Sequence, residues 1–166
     1  MTLRIILDTC IYGRIIEDRL EDKIIDRVNM YKHDITIYGI KVIRNEIRAA
    51  PKHSRDRYDL RTSLLRLYDN LVKEHIIKLR PLAGNLAALY YKQYVRNGGS
   101  VSSKEIINDM IIVAEATIEK LDIVVSDDNR TMLSVHAKEA YYTVNKEHNF
   151  LTPNFINYSD FKKKLF

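Results

Sequence analysis

Residues 121–129 read LDIVVSDDN, an apolar, β-branched run that stops at Ser126, Asp127 and Asp128. A short run of this kind reads as a buried strand of a parallel sheet. The polar residues that end it are turn and capping chemistry, because their side chains accept hydrogen bonds from free backbone N–H groups. Capping alone does not explain two adjacent carboxylates. The amino-terminal segment repeats the pattern: LRIIL, residues 3–7, is a second such run, closed by Asp8.

Outward from these two strands the chain alternates. Ile15, Ile16, Leu20, Ile24, Ile25 and Val28 recur at helical spacing across 11–31, and DITIYG, 34–39, is a strand closed by Gly39. A helix follows over 40–50, with Pro51 just beyond it, and a longer one over 55–75 carries Tyr58, Leu64, Leu65, Tyr68, Leu71 and Val72 on one side. HIIKLRP reads as a third strand before Pro81, and a helix runs from Leu82 to Arg96, where Asn97, Gly98, Gly99 and Ser100 break it. Ser102 with Glu105 forms a capping box that opens a helix reaching about Lys120. After strand 122–126 come a short helix near 130–138, YYTV at 141–144 as a last strand, and a C-terminal helix from Ser159. Strands alternating with helices predict an α/β fold, helices flanking a mostly parallel central sheet.

The 166 residues are read as one domain, long enough to bury a core without disulfides. Lys and Arg number 27 against 22 Asp and Glu, and the net charge of +5 suits a polyanionic partner without specifying one. The single cysteine, Cys10, is expected to be a small buried hydrophobe in a reducing compartment. The apolar run in MTLRIILDTC is too short for a signal peptide and no stretch approaches a membrane span, so a cytoplasmic protein is expected.

In parallel α/β sheets ligands bind beyond the carboxyl ends of the strands, where strand order reverses. Asp8, Asp127 and Asp128 all stand at such ends. On the helix from Ser103, Asn108, Glu115 and Glu119 fall on one polar face, whereas Asp109 lies between Val113 and Ala116 on the apolar side. In IKVIRNEIRAA, Lys41, Arg44, Asn45 and Arg48 face water and Glu46 falls among Val42, Ile43, Ala49 and Ala50. Each inward acid taken singly reads as a boundary residue paired with solvent or an arginine. Together, carboxylates gathered in a partly buried cleft repel one another and resist desolvation, and a cation must compensate. Oxygen-only ligands select a hard cation, Mg²⁺ or Mn²⁺. Histidines 33, 53, 75, 136 and 148 show no paired metal spacing, which argues against zinc, and no glycine-rich phosphate loop appears.

IILDTC around Asp8, IRNEI around Glu46, NDMIIVAEA around Asp109 and VVSDDNRTM around Asp128 resemble, in order and separation, the PIN domain, the metal-dependent ribonuclease fold of VapC-type toxins. The resemblance covers most of the chain, with an enlarged helical region at 51–80. It implies a three-layer α/β/α fold and a site in which Asp8, Glu46, Asp109 and Asp128 hold Mg²⁺ or Mn²⁺. In the fourth motif the family's Ser or Thr, one residue, then the acid favours Asp128 over Asp127. Ser126 and Thr9 would steady the site by hydrogen bonding. The implied activity is hydrolysis of RNA phosphodiesters, as the toxin of a toxin-antitoxin pair, with an antitoxin protein and a homodimer as expected partners. A non-catalytic PIN-like RNA-binding or structural protein is the alternative.

Arg44, Arg48, Lys52, Arg55, Arg57, Arg61 and Arg66 outnumber the nearby acids and are expected to meet RNA phosphates, although a solvated helix face explains the same stretch. Tyr90, Tyr91 and Tyr94, at helical spacing, read more simply as core than as base-stacking residues. A haloacid-dehalogenase phosphatase would need a second Asp where Cys10 stands. A receiver domain would need a phosphoacceptor Asp on a middle strand and a later Lys, and neither is evident.

Overall fold

The computed structural model describes residues 2–31, 33–53 and 59–166. In chain order the elements are β1 (Leu3–Leu7), α1 (Thr9–Glu17), α2 (Glu21–Met30), β2 (Ile35–Ile40), α3 (Lys41–Ala49), α4 (Leu60–Val72), β3 (Ile76–Ile77), α5 (Pro81–Arg96), α6 (Ser103–Ile118), β4 (Ile123–Val125), α7 (Val135–Glu147), β5 (Asn154–Ile156) and α8 (Tyr158–Leu165). The five strands form one sheet of order β3-β2-β1-β4-β5, and every pairing in it is parallel. Helices α1 to α4 pack among themselves with α8 against α2, and α5, α6 and α7 pack together. The result is the three-layer α/β/α arrangement expected of the sequence.

The central strands are apolar because both of their faces are covered. Ile5, Ile6 and Leu7 of β1 and Val124 and Val125 of β4 have no exposed surface, and each such side chain contributes about 1.5–3 kcal/mol of burial. Chain direction across the sheet reverses between β1 and β4: the chain first builds outward to β2 and β3, then crosses back to β4 and β5. The crevice at the carboxyl ends of β1 and β4 is therefore the topological switch point.

Several segments differ from their sequence reading. The helix over 11–31 is two helices, broken at Asp18, whose Oδ1 accepts from the Leu20 amide at 2.9 Å while Oδ2 accepts from Tyr158 and Lys162 of α8. YYTV is not a strand. Residues 141–144 lie in α7, which is capped by Ser134, and Ala137, Ala140, Tyr141 and Val144 form its buried face. The aromatic and β-branched content of that run loses to the covered helical stripe, with the Tyr141 ring edge-on to Tyr90. The last strand is β5, three residues beyond Pro153, paired with β4 through Phe155 opposite Val124.

Cys10 is exposed rather than buried. Glu115, assigned to the wet face of α6, is fully buried because the segment before α5 covers it, and its Oε1 accepts from the Arg80 amide at 3.0 Å. Ser102 caps α6 with its hydroxyl on the Glu105 side chain at 3.2 Å, not on a backbone amide. Of the helix read over 55–75, residues 55–58, Tyr58 included, lie outside the described residues and α4 covers Leu60–Val72. Among the described residues no helix is long and apolar enough to cross a membrane.

Candidate active site

Asp8 follows β1 directly and caps α1, its Oδ1 accepting from the Thr9 amide at 2.7 Å. Its Oδ2 accepts from the Ser126 hydroxyl at 2.7 Å and from the Cys10 thiol at 3.2 Å. Only 5% of Asp8 is exposed, and this burial, with the Glu46 charge nearby, raises its pKa despite the three donors. Burial and the Asp8 charge likewise push the Cys10 thiol up to about 12, since the sulfur turns inward although the residue is exposed.

Glu46 reaches the same crevice from the second turn of α3. Its carboxylate accepts from the Thr9 hydroxyl and from Asn108 Nδ2, the latter at 2.9 Å, so α1, α3 and α6 meet on one side chain. Asp109 arrives from the second turn of α6. Burial, followed by the charges of Asp8, Asp128 and Glu46, raises it to about 7 against a hydrogen bond from Thr131. The three acids that act on it are the other members of the sequence-selected quartet, carried by four different elements to the switch point.

Asp127 and Asp128 diverge. Asp128 remains with the quartet: burial opposes its charge, but the Thr131 hydroxyl at 2.7 Å and the Thr131 and Arg130 amides at 2.9 Å outweigh it and lower the pKa. Asp127 points to α8, accepting from the Tyr158 amide at 2.8 Å and pairing with Arg14 at 3.1 Å. Ser126, fully buried between them, donates to Asp8 and accepts from the Asp128 amide at 3.0 Å. Thr131, Asn108 and Cys10 join the site without having been singled out as its members from the sequence. A threonine three residues after Asp128, at Asx-turn spacing, was the available signal for Thr131.

Among the described residues no Lys or Arg side chain hydrogen-bonds or ion-pairs with Asp8, Glu46 or Asp109. The nearby Arg14 and Arg130 are turned to Asp127 and Glu105. Also among the described residues, no three His, Cys, Asp or Glu side chains close on a common point at metal-ligand distance as they stand; their oxygens are turned to Thr9, Cys10, Asn108, Ser126 and Thr131. The donor chemistry fits a hard divalent cation: every acid offers oxygen, their charges repel, and Thr131, with one hydroxyl proton, cannot donate to Asp109 and Asp128 together.

The basic segment is more committed than its composition suggests. Arg44 forks onto Asp69 with two 3.2 Å contacts, and Arg61 gives both Nε and Nη2 to the Ala50 carbonyl, at 2.8 and 2.6 Å. Arg48 and Lys52 are exposed, while Arg55 and Arg57 lie outside the described residues.

With this geometry in place, solved structures supply the class of fold. The chain superposes on VapBC2 from Rickettsia felis bound to a DNA fragment from its promoter, with TM-score 0.61 and 14% identity, covering 93% of this chain and 98% of the other. DNA-bound VapBC from Salmonella typhimurium gives 0.57 and 15%, covering 95% and 99%. FitAB bound to a DNA fragment gives 0.54 and 14%, covering 93% and 94%. No protein-family model matches the chain, and no curated protein matches its sequence. At these identities the likeness is one of architecture: the chain has the fold of a VapC-like PIN domain.

Proposed function

We propose that this protein is a metal-dependent ribonuclease, a PIN-type phosphodiester hydrolase using Mg²⁺ or Mn²⁺ and acting as the toxin of a toxin-antitoxin pair. The observation that carries the proposal is the meeting of Asp8, Glu46, Asp109 and Asp128, from four separate elements, with no basic side chain of the described residues bound to the first three. Asp8 and Asp109 would hold the cation directly, and Glu46 and Asp128 directly or through water. A bound divalent ion supplies a Lewis acid that activates water and offsets charge building on a phosphate.

The chain's own residues orient the acids. Ser126 and the Thr9 amide fix both oxygens of Asp8, Asn108 and the Thr9 hydroxyl fix Glu46, and Thr131 fixes Asp128. Such positioning matters because substrate and water must be held in line, and small displacements are costly. Arg48, Lys52, Arg55 and Arg57, with Arg44 and Arg61 exchanging their present partners, would meet the RNA backbone without reading its sequence. An antitoxin partner is proposed because the solved neighbours are VapBC and FitAB assemblies. A homodimer and a cytoplasmic setting are proposed on the PIN resemblance.

The test is incubation of single-stranded RNA and single-stranded DNA with the purified protein in Mn²⁺, Mg²⁺ or EDTA, beside Asp109→Asn. Expected are RNA products with either metal and none with EDTA or the variant. Cleavage that persists in EDTA removes the metal-dependent reading, and RNA bound but uncut under every condition selects the non-catalytic one.

A further inference from the structure

Beside the acidic quartet, Arg14 and Arg130 are held differently. Arg14 ion-pairs with Asp127 and lies over the Tyr158 ring, 5.6 Å from its centroid, so two contacts fix it. Arg130 is tied to the site by its backbone, its amide donating to Asp128 Oδ1 at 2.9 Å. Among the described residues its guanidinium has one hydrogen-bonding partner, Glu105 Oε2 at 2.7 Å, and the two side chains are 72% and 53% exposed. Glu105 precedes Asp109 by four residues on α6, one helical turn above it on the same face. The pair therefore spans the mouth of the crevice, from the turn that carries Asp128 to the helix that carries Asp109. The other Glu105 oxygen accepts from the Ser102 hydroxyl at 3.2 Å, which holds the carboxylate without help from the arginine.

We propose that Arg130 is a substrate-binding residue, released from Glu105 to a phosphate of the RNA strand next to the one at the cation. The proposal rests on the RNA-cleaving reading of the site. Gathered carboxylates repel an approaching phosphate strand and a divalent cation offsets only part of their charge, so positive charge at the rim helps to decide whether the strand seats. An ion pair exposed on both sides contributes little and is readily exchanged, whereas a guanidinium meets a phosphate with two parallel N–H donors. Because the Arg130 amide is anchored on Asp128, the side chain swings from a point fixed relative to the quartet. Glu105 is then the competitor for the guanidinium: it holds Arg130 when no RNA is bound and lowers the affinity for the strand.

The test measures steady-state cleavage of single-stranded RNA of mixed sequence in Mn²⁺, at several KCl concentrations, for the unaltered chain, Arg130→Ala, Arg130→Lys, Glu105→Gln and the double variant of Glu105→Gln with Arg130→Ala. Arg130→Ala is expected to raise KM about 10-fold, more than it lowers kcat. It should also make the salt dependence of log KM shallower by about 0.7, the step for one phosphate contact on a single strand. Arg130→Lys keeps the charge and is expected to keep the salt slope. Glu105→Gln leaves an oxygen for Ser102 and frees Arg130, so KM is expected to fall about 2- to 5-fold. In the Arg130→Ala background that gain disappears, which separates release of the arginine from simple loss of a negative charge. Thermal melts show that each variant folds, and Arg130→Gln takes the place of Arg130→Ala if that variant does not. A KM for Arg130→Ala within about 2-fold of the unaltered chain, or a Glu105→Gln gain undiminished in the double variant, overturns the proposal and leaves the nuclease reading standing. Absence of RNA cleavage by the unaltered chain overturns both.

Discussion

Asp109 is the acid least compensated by the protein around it. Asp8, Glu46 and Asp128 each accept two or more hydrogen bonds, whereas Asp109 shares a hydroxyl already donated to Asp128 and is raised to about 7. Replacing its carboxylate by the isosteric amide removes like-charge repulsion. Asp109→Asn is therefore predicted to be more stable than the unaltered chain in EDTA at pH 7.5, by about 1–3 kcal/mol, and to lose the Mn²⁺ response. Paired thermal melts with and without metal check it; a variant that melts lower in EDTA and still responds to Mn²⁺ contradicts the assignment. The neighbouring acids are predicted to separate in the same assay. Asp128→Asn should abolish cleavage, whereas Asp127→Asn, whose carboxylate faces Arg14 and α8, should retain metal binding and lose chiefly stability. Equal metal loss in both variants would count against the division.

Helix α8 is pinned by charge as well as by Phe161 and Leu165. Asp18, at the break between α1 and α2, accepts from Lys162 at 2.7 Å and from the Tyr158 hydroxyl at 2.8 Å. The Lys162 hydrogen bond first, then the Leu20 and Tyr158 bonds, hold its pKa down to about 2 against the opposing effect of burial. A depressed carboxylate stabilises the fold above its unfolded value, and that stability is lost as pH falls from about 4 toward about 2. Asp18→Asn is predicted to cost about 1 kcal/mol at pH 7, the low end for charged hydrogen bonds because Lys162 is one-third exposed. It should also flatten acid unfolding in that window, which denaturant melts across pH measure. Strand β2 carries a different constraint. A Cβ on Gly39 would lie 2.7 Å from Tyr68 Cζ and 2.8 Å from Val72 Cγ1. The Tyr68 ring is fixed by Tyr12 and by its bond to the Ile40 carbonyl. Gly39→Ala is predicted to destabilise by about 1–3 kcal/mol through overpacking, with metal affinity unchanged, read by the same melts and titration.

For the molecule as a whole, a cation that binds the folded chain alone must raise its stability by mass action. At about 100 times the dissociation constant the gain is about 2.7 kcal/mol, and a chain of this size shifts its Tm by roughly 2–4 °C per kcal/mol. The predicted Mn²⁺ shift is therefore about 5–11 °C, reversed by EDTA and absent from Asp8→Asn. A shift that survives in that variant would place the binding elsewhere. Glu115 shows how tertiary context redirects a reading made from one helix. The wheel put it beside Asn108, yet the Arg80 segment buries it, and burial first, against the Arg80 contacts, raises its pKa.

The sequence by itself determined the parallel α/β class, the two strands that end in acid, and the unusual placing of acid at Asp8, Glu46, Asp109 and the Asp127–Asp128 pair. These follow from period, burial pattern and the rarity of inward acids, all local or additive. Tertiary structure alone decided the division of Asp127 from Asp128, because both are turn residues until α8 arrives to claim one. It also decided the break at Asp18, the helical state of YYTV and the strand at Asn154–Ile156. Each depends on a partner distant in the chain: Lys162 for Asp18, Tyr90 for Tyr141, Val124 for Phe155. A hydrogen bond or packed ring from such a partner is worth as much as local propensity, so where the two conflict the contact made on folding prevails.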